Sequence, residues 1–421
     1  DTITLKNIIS YAQFRQRQAA SLFGDNGVTA GDPITYNQVV IPTTPPGKYN
    51  VAQSTFTEEL QLQGVTPDGR LTYQAGGYLE VSNPLNGFQT TMGATLLSCT
   101  DSLNLQCTDL LGRLTPNPRS PGTTLEGFVG SAQISQSRYQ FRNRGIYAQA
   151  TYELTDQLRL TGGIRYTSDR SSGVGQIIRI SFPAPNTRQY GCSYPVGMVQ
   201  GGTSAQIQAD NSRCEIYRKE SSGKPTWLID LSYKPVDDVM VYAKYLRGYR
   251  QGSVNVSSYG LDTWAPESVD TYELGAKAKF QNFVKGTFNV AAFWNDFKNQ
   301  QLSVGTLPCT TITGPGTQCP FIPAASAGIS NSGQSRIRGI EAEASVTLFP
   351  GFLVDVGYTH LDTKILSITP PLPPIGFTVV QTAGAGGPIP LSPKNKYTIT
   401  GSYTLPLSPS IGRGIIGATF T

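Results

Sequence analysis

Along much of the chain, apolar and polar side chains alternate with a period of two, and the alternating segments come in pairs. In residues 146–154 every even position is apolar or aromatic. After a two-residue connection, Leu158, Leu160, Ile164 and Tyr166 alternate with charged and hydroxyl side chains. A period of two places the two sets on opposite faces of a β-strand. The pattern therefore predicts pairs of antiparallel strands.

Segments of this kind recur along the whole chain and are joined alternately by short and by long connections. An up-and-down meander with all its long loops at one end gives this order, as in barrels with short periplasmic turns and long extracellular loops. The predicted strands are 2–17, 54–64, 70–81, 138–154, 157–172, 222–234, 238–251, 268–280, 285–304, 333–348, 352–366, 394–405 and 413–421.

The polar face of the predicted strands carries full charges, such as Glu273 and Lys277 on one strand and Glu341 and Glu343 on another. A soluble barrel would have to bury these charges unpaired, which is costly. A wide membrane barrel instead has lipid outside and water inside. The sequence therefore predicts an all-β chain that forms an antiparallel up-and-down transmembrane β-barrel in the outer membrane. Aromatic residues near the strand ends lie on the outward parity, as expected of interfacial girdles.

Composition agrees with this interpretation. Charged residues make up 14% of the chain, against about 25% in typical soluble domains. No apolar run approaches the roughly 18 residues of a spanning helix. The net charge of +5 is scattered along the sequence, so the chain lacks the basic stripe that nucleic acid requires. Membrane lipid, and not nucleic acid, is the expected partner.

The six cysteines form three close pairs, each within one predicted long loop. An even number in local pairs indicates disulfides made in an oxidising compartment. Metal binding is the alternative, but no CxxC spacing is present and the single histidine, His360, is distant in sequence. We favour the disulfides Cys99–Cys107, Cys192–Cys214 and Cys309–Cys319.

The chain begins and ends inside strand-like patterns, without an initiator methionine or a secretory signal. Thirteen strands cannot close a single-chain bacterial barrel, which has an even number. We therefore expect residues 1–421 to be one partial transmembrane β-barrel domain with no plug domain. Missing neighbours would close its two edges, since unpaired backbone is not tolerated in lipid.

Several segments carry a family likeness. They are residues 144–155 with 160–167, 245–252 (YLRGYRQG), 266–277 (PESVDTYELGAK), 335–343 (SRIRGIEAE) and, less closely, 56–62 (FTEELQL). These segments resemble strands of the TonB-dependent outer-membrane receptors of Gram-negative bacteria. Each match alone is weak, but together they follow the order of the family over most of the chain.

This resemblance implies a plugged barrel of about 22 strands, of which the chain supplies about 13. It also implies active uptake of a scarce ligand, such as a ferric siderophore, a cobalamin-like cofactor or an oligosaccharide, energised by the TonB protein. The plug and the coupling box of the family precede the barrel and are not in this sequence. The alternative function is a passive wide porin or a surface-binding barrel without energy coupling.

No set of residues indicates catalysis, so we expect neither an enzyme, nor a cofactor, nor a metal site. His360 has outward parity near the aromatic belt, where an interfacial structural role is expected. Glu341 and Glu343 lie two apart on a lumen-facing strand, where solvated charge is ordinary.

Ligand contacts are predicted among inward or loop arginines and aromatics near the predicted extracellular mouth. Guanidinium groups suit carboxylate or catecholate ligands, and aromatic rings provide apolar contact faces. One hypothesis is a cationic collar of converging arginines that attracts an anionic ligand. The alternative, which we favour, is that the arginines pair with plug or wall acids such as Glu267, Asp270 and Glu273. The candidates are Arg247, Tyr249, Arg250, Tyr259, Trp264, Arg336 and Arg338.

Overall fold

The computed structural model describes most of the chain. The described ranges are 2–18, 44–85, 87–95, 97–101, 104–117, 120–194, 197–258, 260–281, 283–308, 326–369, 377–381, 384–408 and 410–421.

β-strands dominate the described residues. In chain order the strands are β1 (Thr2–Gln16), β2 (Val51–Val65), β3 (Leu71–Pro84), β4 (Gln89–Thr95), β5 (Ser98–Asp101), β6 (Gln106–Thr108), β7 (Ser131–Glu153), β8 (Leu158–Ala184), β9 (Thr187–Cys192), β10 (Glu215–Val236), β11 (Val239–Arg250), β12 (Ser253–Val254), β13 (Thr263–Trp264), β14 (Glu267–Phe280), β15 (Lys285–Pro308), β16 (Ser326–Phe349), β17 (Phe352–Ile368), β18 (Phe377–Gln381), β19 (Asn395–Thr404) and β20 (Ile415–Phe420). The helices are α1 (Leu110–Leu114), α2 (Ser204–Ala209) and the 3₁₀ helix Asn211–Cys214.

Thirteen long strands form one antiparallel wall in the order β1-β2-β3-β7-β8-β10-β11-β14-β15-β16-β17-β19-β20. Each pairs with the next long strand along the chain, and all thirteen overlap the strands predicted from the sequence. The predicted fold class is therefore confirmed. The wall does not close, since the described part of the chain leaves β1 and β20 at its two edges.

The two faces of the wall are those expected from the alternation. Directly paired residues share a face, and one such row runs across five strands through Leu160, Leu231, Ala243, Leu274 and Ala292. Leu274 is 64% exposed and carries no polar atom on its side chain. An exposed apolar row of this length is stable only against lipid, so this is the outward face. Glu273 and Glu343 have the opposite parity and lie on the inward face.

At the long-loop end, β7 and β8 extend well beyond their predicted ends and carry a cap made of residues 89–130 and 176–214. β4 adds to β7 and β9 adds to β8, while β5 and β6 form a small separate sheet. The cap has its own core, in which Leu97, Ile180 and Phe182 are fully buried. This core explains why the cap holds its shape outside the membrane.

Two of the predicted disulfides lie in the cap. Cys99 is bonded to Cys107 and Cys192 to Cys214, as predicted. The predicted Cys309–Cys319 pair lies outside the described residues. The carboxylate of Asp109, which is fully buried, accepts hydrogen bonds from the backbone N–H groups of Gly112, Gly127 and Val129 at 3.0, 2.8 and 3.0 Å. Asp109 thereby caps α1 and fastens the segment that follows it.

Two findings concern other classes of site. None of the helices in the described ranges is long and apolar enough to cross a membrane. The same ranges contain no group of three or more histidine, cysteine, aspartate or glutamate side chains placed to hold a metal ion.

Candidate functional site

Arg250 lies at the long-loop end of β11, on the inward face. Its guanidinium is 2.8 Å from the carboxylate of Glu267, which stands directly opposite on β14. Glu267 is buried and also accepts a hydrogen bond from the backbone N–H of Gln301 at 2.6 Å. The Arg250 side chain is 59% exposed. Arg250 is thus anchored at one side and open to the lumen at the other.

Arg247 instead belongs to a wall network around the buried carboxylate of Asp270. Its guanidinium is 3.4 Å from Asp270 and lies 5.2 Å from the centroid of the Trp227 ring. The same carboxylate accepts hydrogen bonds from the Tyr245 hydroxyl at 3.1 Å and from Lys298 Nζ at 3.2 Å. Three donors share one acid, so Arg247 pairs with the wall as our favoured alternative expected.

The strand register corrects the predicted inward placement of three of the arginines. Arg247 pairs with Asp270, Asp270 with Asp296, and Asp296 with Arg336. Asp270 has the parity of the outward Leu274, so this whole row faces outward. Arg338, two residues from Arg336, faces outward as well. A lumenal collar of four arginines is therefore wrong, because only Arg250 of the four faces inward.

The outward arginines have partners of their own. Arg338 forms an ion pair of 2.6 Å with Asp362 on the neighbouring strand. The Arg336 and Arg338 guanidinium carbons lie 4.7 and 5.6 Å from the centroid of the Trp294 ring. Charge alone does not reveal the face, because above the apolar band an outward side chain meets headgroups and water instead of lipid tails.

Tyr249 connects three strands at the same end. Its hydroxyl donates to Asp169 at 2.7 Å and lies 2.5 Å from Ser222 Oγ. Asp169 is buried and accepts a second hydrogen bond, from the Asn143 amide, at 2.5 Å. Because its hydroxyl is engaged by the wall, Tyr249 is suited to position the end of β11.

The connection between β11 and β14, residues 251–266, folds back over the inward face of β8 and β10. Val256 is fully buried against Gly173 and Gly175, two inward positions of β8. A Cβ at Gly175 would lie 2.6 Å from Val256 Cγ2, so only glycine allows this approach. We name this segment the inner loop. Arg218 on β10 forms an ion pair with Asp262 of the inner loop.

The inner loop also contacts β16, which lies further along the wall. The Ser258 hydroxyl donates to the carbonyl of Ala327 at 2.8 Å, and Leu261 packs against Gly328. Trp264 is half-buried in β13, where it pairs with Ser253 of β12. Tyr259 lies outside the described residues. Sequence reasoning missed the inward course of this loop, although the glycines at 173 and 175 on an inward parity were a usable signal.

His360 lies on the outward face, since it pairs with the exposed Ile340, and its Nδ1 is 2.8 Å from Asn395 Oδ1. In the cap, burial lowers the pKa of Arg179, and the nearby carboxylate of Asp109 partly opposes this shift. Neither group is placed beside a second side chain that would suggest catalysis. The contacts of His360 and Arg179 therefore indicate structural roles.

Comparison with known proteins gives relatives of the same architecture. The pesticin receptors of Yersinia enterocolitica and Yersinia pestis are 24% identical over 213 residues, which cover 50% of this chain and 24% of theirs. The siderophore receptor PiuA from Acinetobacter baumannii aligns with a TM-score of 0.55 and 16% identity over 96% of this chain and 50% of that chain. The ferric yersiniabactin uptake receptor FyuA from Yersinia pestis aligns with a TM-score of 0.47 and 14% identity, over 96% of this chain and 54% of its own.

The aligned region thus spans about a quarter of the pesticin receptors and about half of the two solved receptors. The sequence model of a family described as TonB dependent receptor-like, beta-barrel, matches residues 1–421. Proteins of this family are transport receptors of the Gram-negative outer membrane and not enzymes. With its antiparallel wall, outward apolar rows and long loops at one end, this chain belongs to the TonB-dependent receptor β-barrel family.

Proposed function

We propose that this chain is the barrel wall of an outer-membrane receptor that takes up a scarce ligand such as a ferric siderophore, with energy supplied by TonB. Family membership supports receptor-type transport. The names of the relatives, a pesticin receptor and a siderophore receptor, support the ligand class. The observation that carries most weight is the inner loop, because a loop folded over the inward face can contact a ligand that a passive pore would let pass.

The complete protein then contains the plug and the remaining strands. We propose that residues 1–421 supply about 13 strands of a barrel of about 22. The open edges at β1 and β20 support this, since unpaired strand edges are not stable in lipid. The coverage of about half of a solved siderophore receptor agrees with it.

Within this function, we propose that Arg250 contacts the ligand directly. Its guanidinium is exposed on the inward face and is held in place by Glu267. Trp264 and Tyr259 of the inner loop would add aromatic surface, while Tyr249 would position the end of β11. A guanidinium provides charge-assisted hydrogen bonds to an anionic chelate such as a ferric catecholate.

Arg250→Ala tests this contact in the full-length protein. Arg159→Ala is a matched control, because Arg159 is an inward arginine paired with Glu153 at 2.6 Å at the short-turn end of the wall. We expect Arg250→Ala to weaken binding of an anionic ferric siderophore by about 1.5–3 kcal/mol, with a smaller salt dependence. If Arg250→Ala and Arg159→Ala bind the siderophore with equal affinity, Arg250 has only a structural role.

Uptake of a panel of catecholate, hydroxamate and mixed siderophores loaded with radioactive iron tests the function as a whole. Cells that express the full-length protein should accumulate one class, and deletion of tonB or addition of a protonophore should abolish accumulation. Uptake that persists without TonB, together with permeation of small sugars into proteoliposomes, would establish the passive porin instead.

A further inference from the structure

Four basic side chains lie close together on the outward face of β7, β8 and β10. Arg142 and Arg144 are on β7, Arg170 on β8 and Lys219 on β10. Arg144 pairs with Ser168, two residues above the outward pair Ile146 and Tyr166. We name these four residues the outer basic patch: Arg142, Arg144, Arg170 and Lys219.

Strand register fixes the face of this patch without ambiguity. Ile146 and Tyr166 are 68% and 50% exposed, as expected of side chains in lipid. Residues two and four positions further along the same strands share their face. Arg144 and Arg142 on β7, and Arg170 on β8, are therefore outward, and Ser172, directly paired with Lys219, extends the same face to β10.

Among the described residues, no acid forms an ion pair with the patch. All four side chains are exposed, and none forms a salt bridge or a side-chain hydrogen bond within the part of the chain that the structure describes. Glu58 is the nearest acid by register on this face, but it is separated from Arg144 by Leu79 on β3. The outward Arg338, in contrast, has its own aspartate.

Arg142 stands directly opposite Arg170 on the neighbouring strand. Like charges at directly paired positions destabilise a sheet. A bound anion that bridges the two guanidinium groups would remove this repulsion and form charge-assisted hydrogen bonds with both. The pair is therefore a site with a chemical preference for a phosphate group.

The height of the patch identifies where the phosphate comes from. A strand rises about 3.3 Å per residue and is tilted by about 40°. Arg144 therefore lies about 5 Å, and Arg142 about 10 Å, above the apolar pair Ile146 and Tyr166. The headgroup layer on each side of a bilayer is roughly 5–8 Å thick. The long basic side chains of the patch can thus reach headgroups from just above the hydrocarbon.

We propose that the outer basic patch binds the phosphate groups of a phosphorylated lipid in the outer leaflet of the outer membrane. The acyl chains of this lipid would lie along the apolar outward face below the patch. The guanidinium groups of Arg142 and Arg170 would hold one phosphate between them, while Arg144 and Lys219 flank it. This site is on the opposite side of the wall from the inner loop and is independent of any transported ligand.

The test uses the full-length protein in detergent and native mass spectrometry with titrated lipid A, which carries phosphates, and with dephosphorylated lipid A. The double variant Arg142→Gln/Arg170→Gln should bind lipid A about tenfold or more weakly than wild type. Binding of dephosphorylated lipid A should be weak for both proteins. Arg144→Gln alone should give an intermediate loss.

Lys277→Gln/Lys279→Gln is the matched control, because it removes the same charge from the inward face of β14. It should bind lipid A like wild type. The proposal is overturned if the two double variants bind lipid A equally well. It is also overturned if wild type prefers neither form of the lipid, or if inorganic phosphate displaces lipid A completely, since the patch would then be a site for soluble anions.

Discussion

The contact between Val256 and β8 allows a sharp test of how the inner loop is held. Gly175→Ala adds one methyl group at a point where Cβ would lie 2.6 Å from Val256 Cγ2, 2.7 Å from its Cβ and 2.9 Å from its carbonyl oxygen. Two of these three atoms cannot move away by a change of rotamer. The substitution must therefore shift the loop backbone or the strand.

The size of the effect follows from two contributions. Overpacking of a close contact costs about 1–3 kcal/mol. Alternatively the loop lifts away, and the fully buried Val256 loses about 1.5–3 kcal/mol of burial. Either route lowers the free energy of loop opening by roughly 1–3 kcal/mol, which raises the opening equilibrium about 5- to 150-fold.

Hydrogen exchange of the full-length protein, followed by mass spectrometry of peptides from residues 251–266, measures this equilibrium. Gly162→Ala is the matched control, because it lies on the same strand and its added Cβ would meet no atom within 4 Å. We expect faster exchange in the inner loop for Gly175→Ala and for Val256→Ala, and unchanged exchange for Gly162→Ala. Equal protection in Gly175→Ala and Gly162→Ala would refute the packing argument.

Four further predictions concern the cap, one long loop and one turn. Asp109→Ala leaves buried N–H donors without an acceptor, at a cost of about 1–3 kcal/mol each. The substitution should expose residues 110–129 to limited proteolysis. Unchanged cleavage would contradict the role of Asp109 in fastening this segment. Replacing Cys192 and Cys214 by alanine removes a disulfide between residues 22 positions apart and should destabilise the cap by about 3 kcal/mol, which hydrogen exchange of the cap core would measure. Non-reducing peptide mapping should find the predicted Cys309–Cys319 bond. Hydrogen bonds from the Thr66 hydroxyl and the Arg70 N–H lower the pKa of Asp68, so its contribution to turn stability is present above the unfolded pKa and is lost as pH falls through the lowered one. The difference in thermal unfolding between wild type and Asp68→Asn should therefore vanish at acidic pH, and a constant difference would contradict this.

The strands within the membrane could be predicted from the sequence because each has one face in lipid and one in water. Above the membrane this condition ends. In β8 the consecutive residues Ile177 and Ile178 are both buried. The cap core packs against Ile178, while a second cluster that includes Val256 of the inner loop packs against Ile177. The alternation is lost there, so β8 was predicted to end at residue 172 although it continues to Ala184.

The candidate site was predicted less completely, for two physical reasons. Arg247 and Arg250 are three residues apart on one strand and therefore face opposite ways, which charge alone does not reveal. The contact of Val256 with Gly173 and Gly175 joins segments that are far apart in sequence, and a loop carries no periodicity that would indicate its course. Only Arg250 was predicted both near the rim and on the correct face.

The length of the β7–β8 hairpin determines how far the protein projects from the cell surface. The 23 residues of β7 reach about 76 Å at 3.3 Å per residue, or close to 58 Å along the membrane normal at a tilt of about 40°. A bilayer with its headgroups is about 40–45 Å thick. Ser131, where β7 begins, lies eleven residues beyond Arg142, which is about 28 Å higher along the membrane normal. β4 adds to residues 131–137 of this projecting part, so the cap stands beside the hairpin outside the membrane. We expect its disulfide-bonded surface to present a conformational epitope to antibodies, and reduction should abolish their recognition.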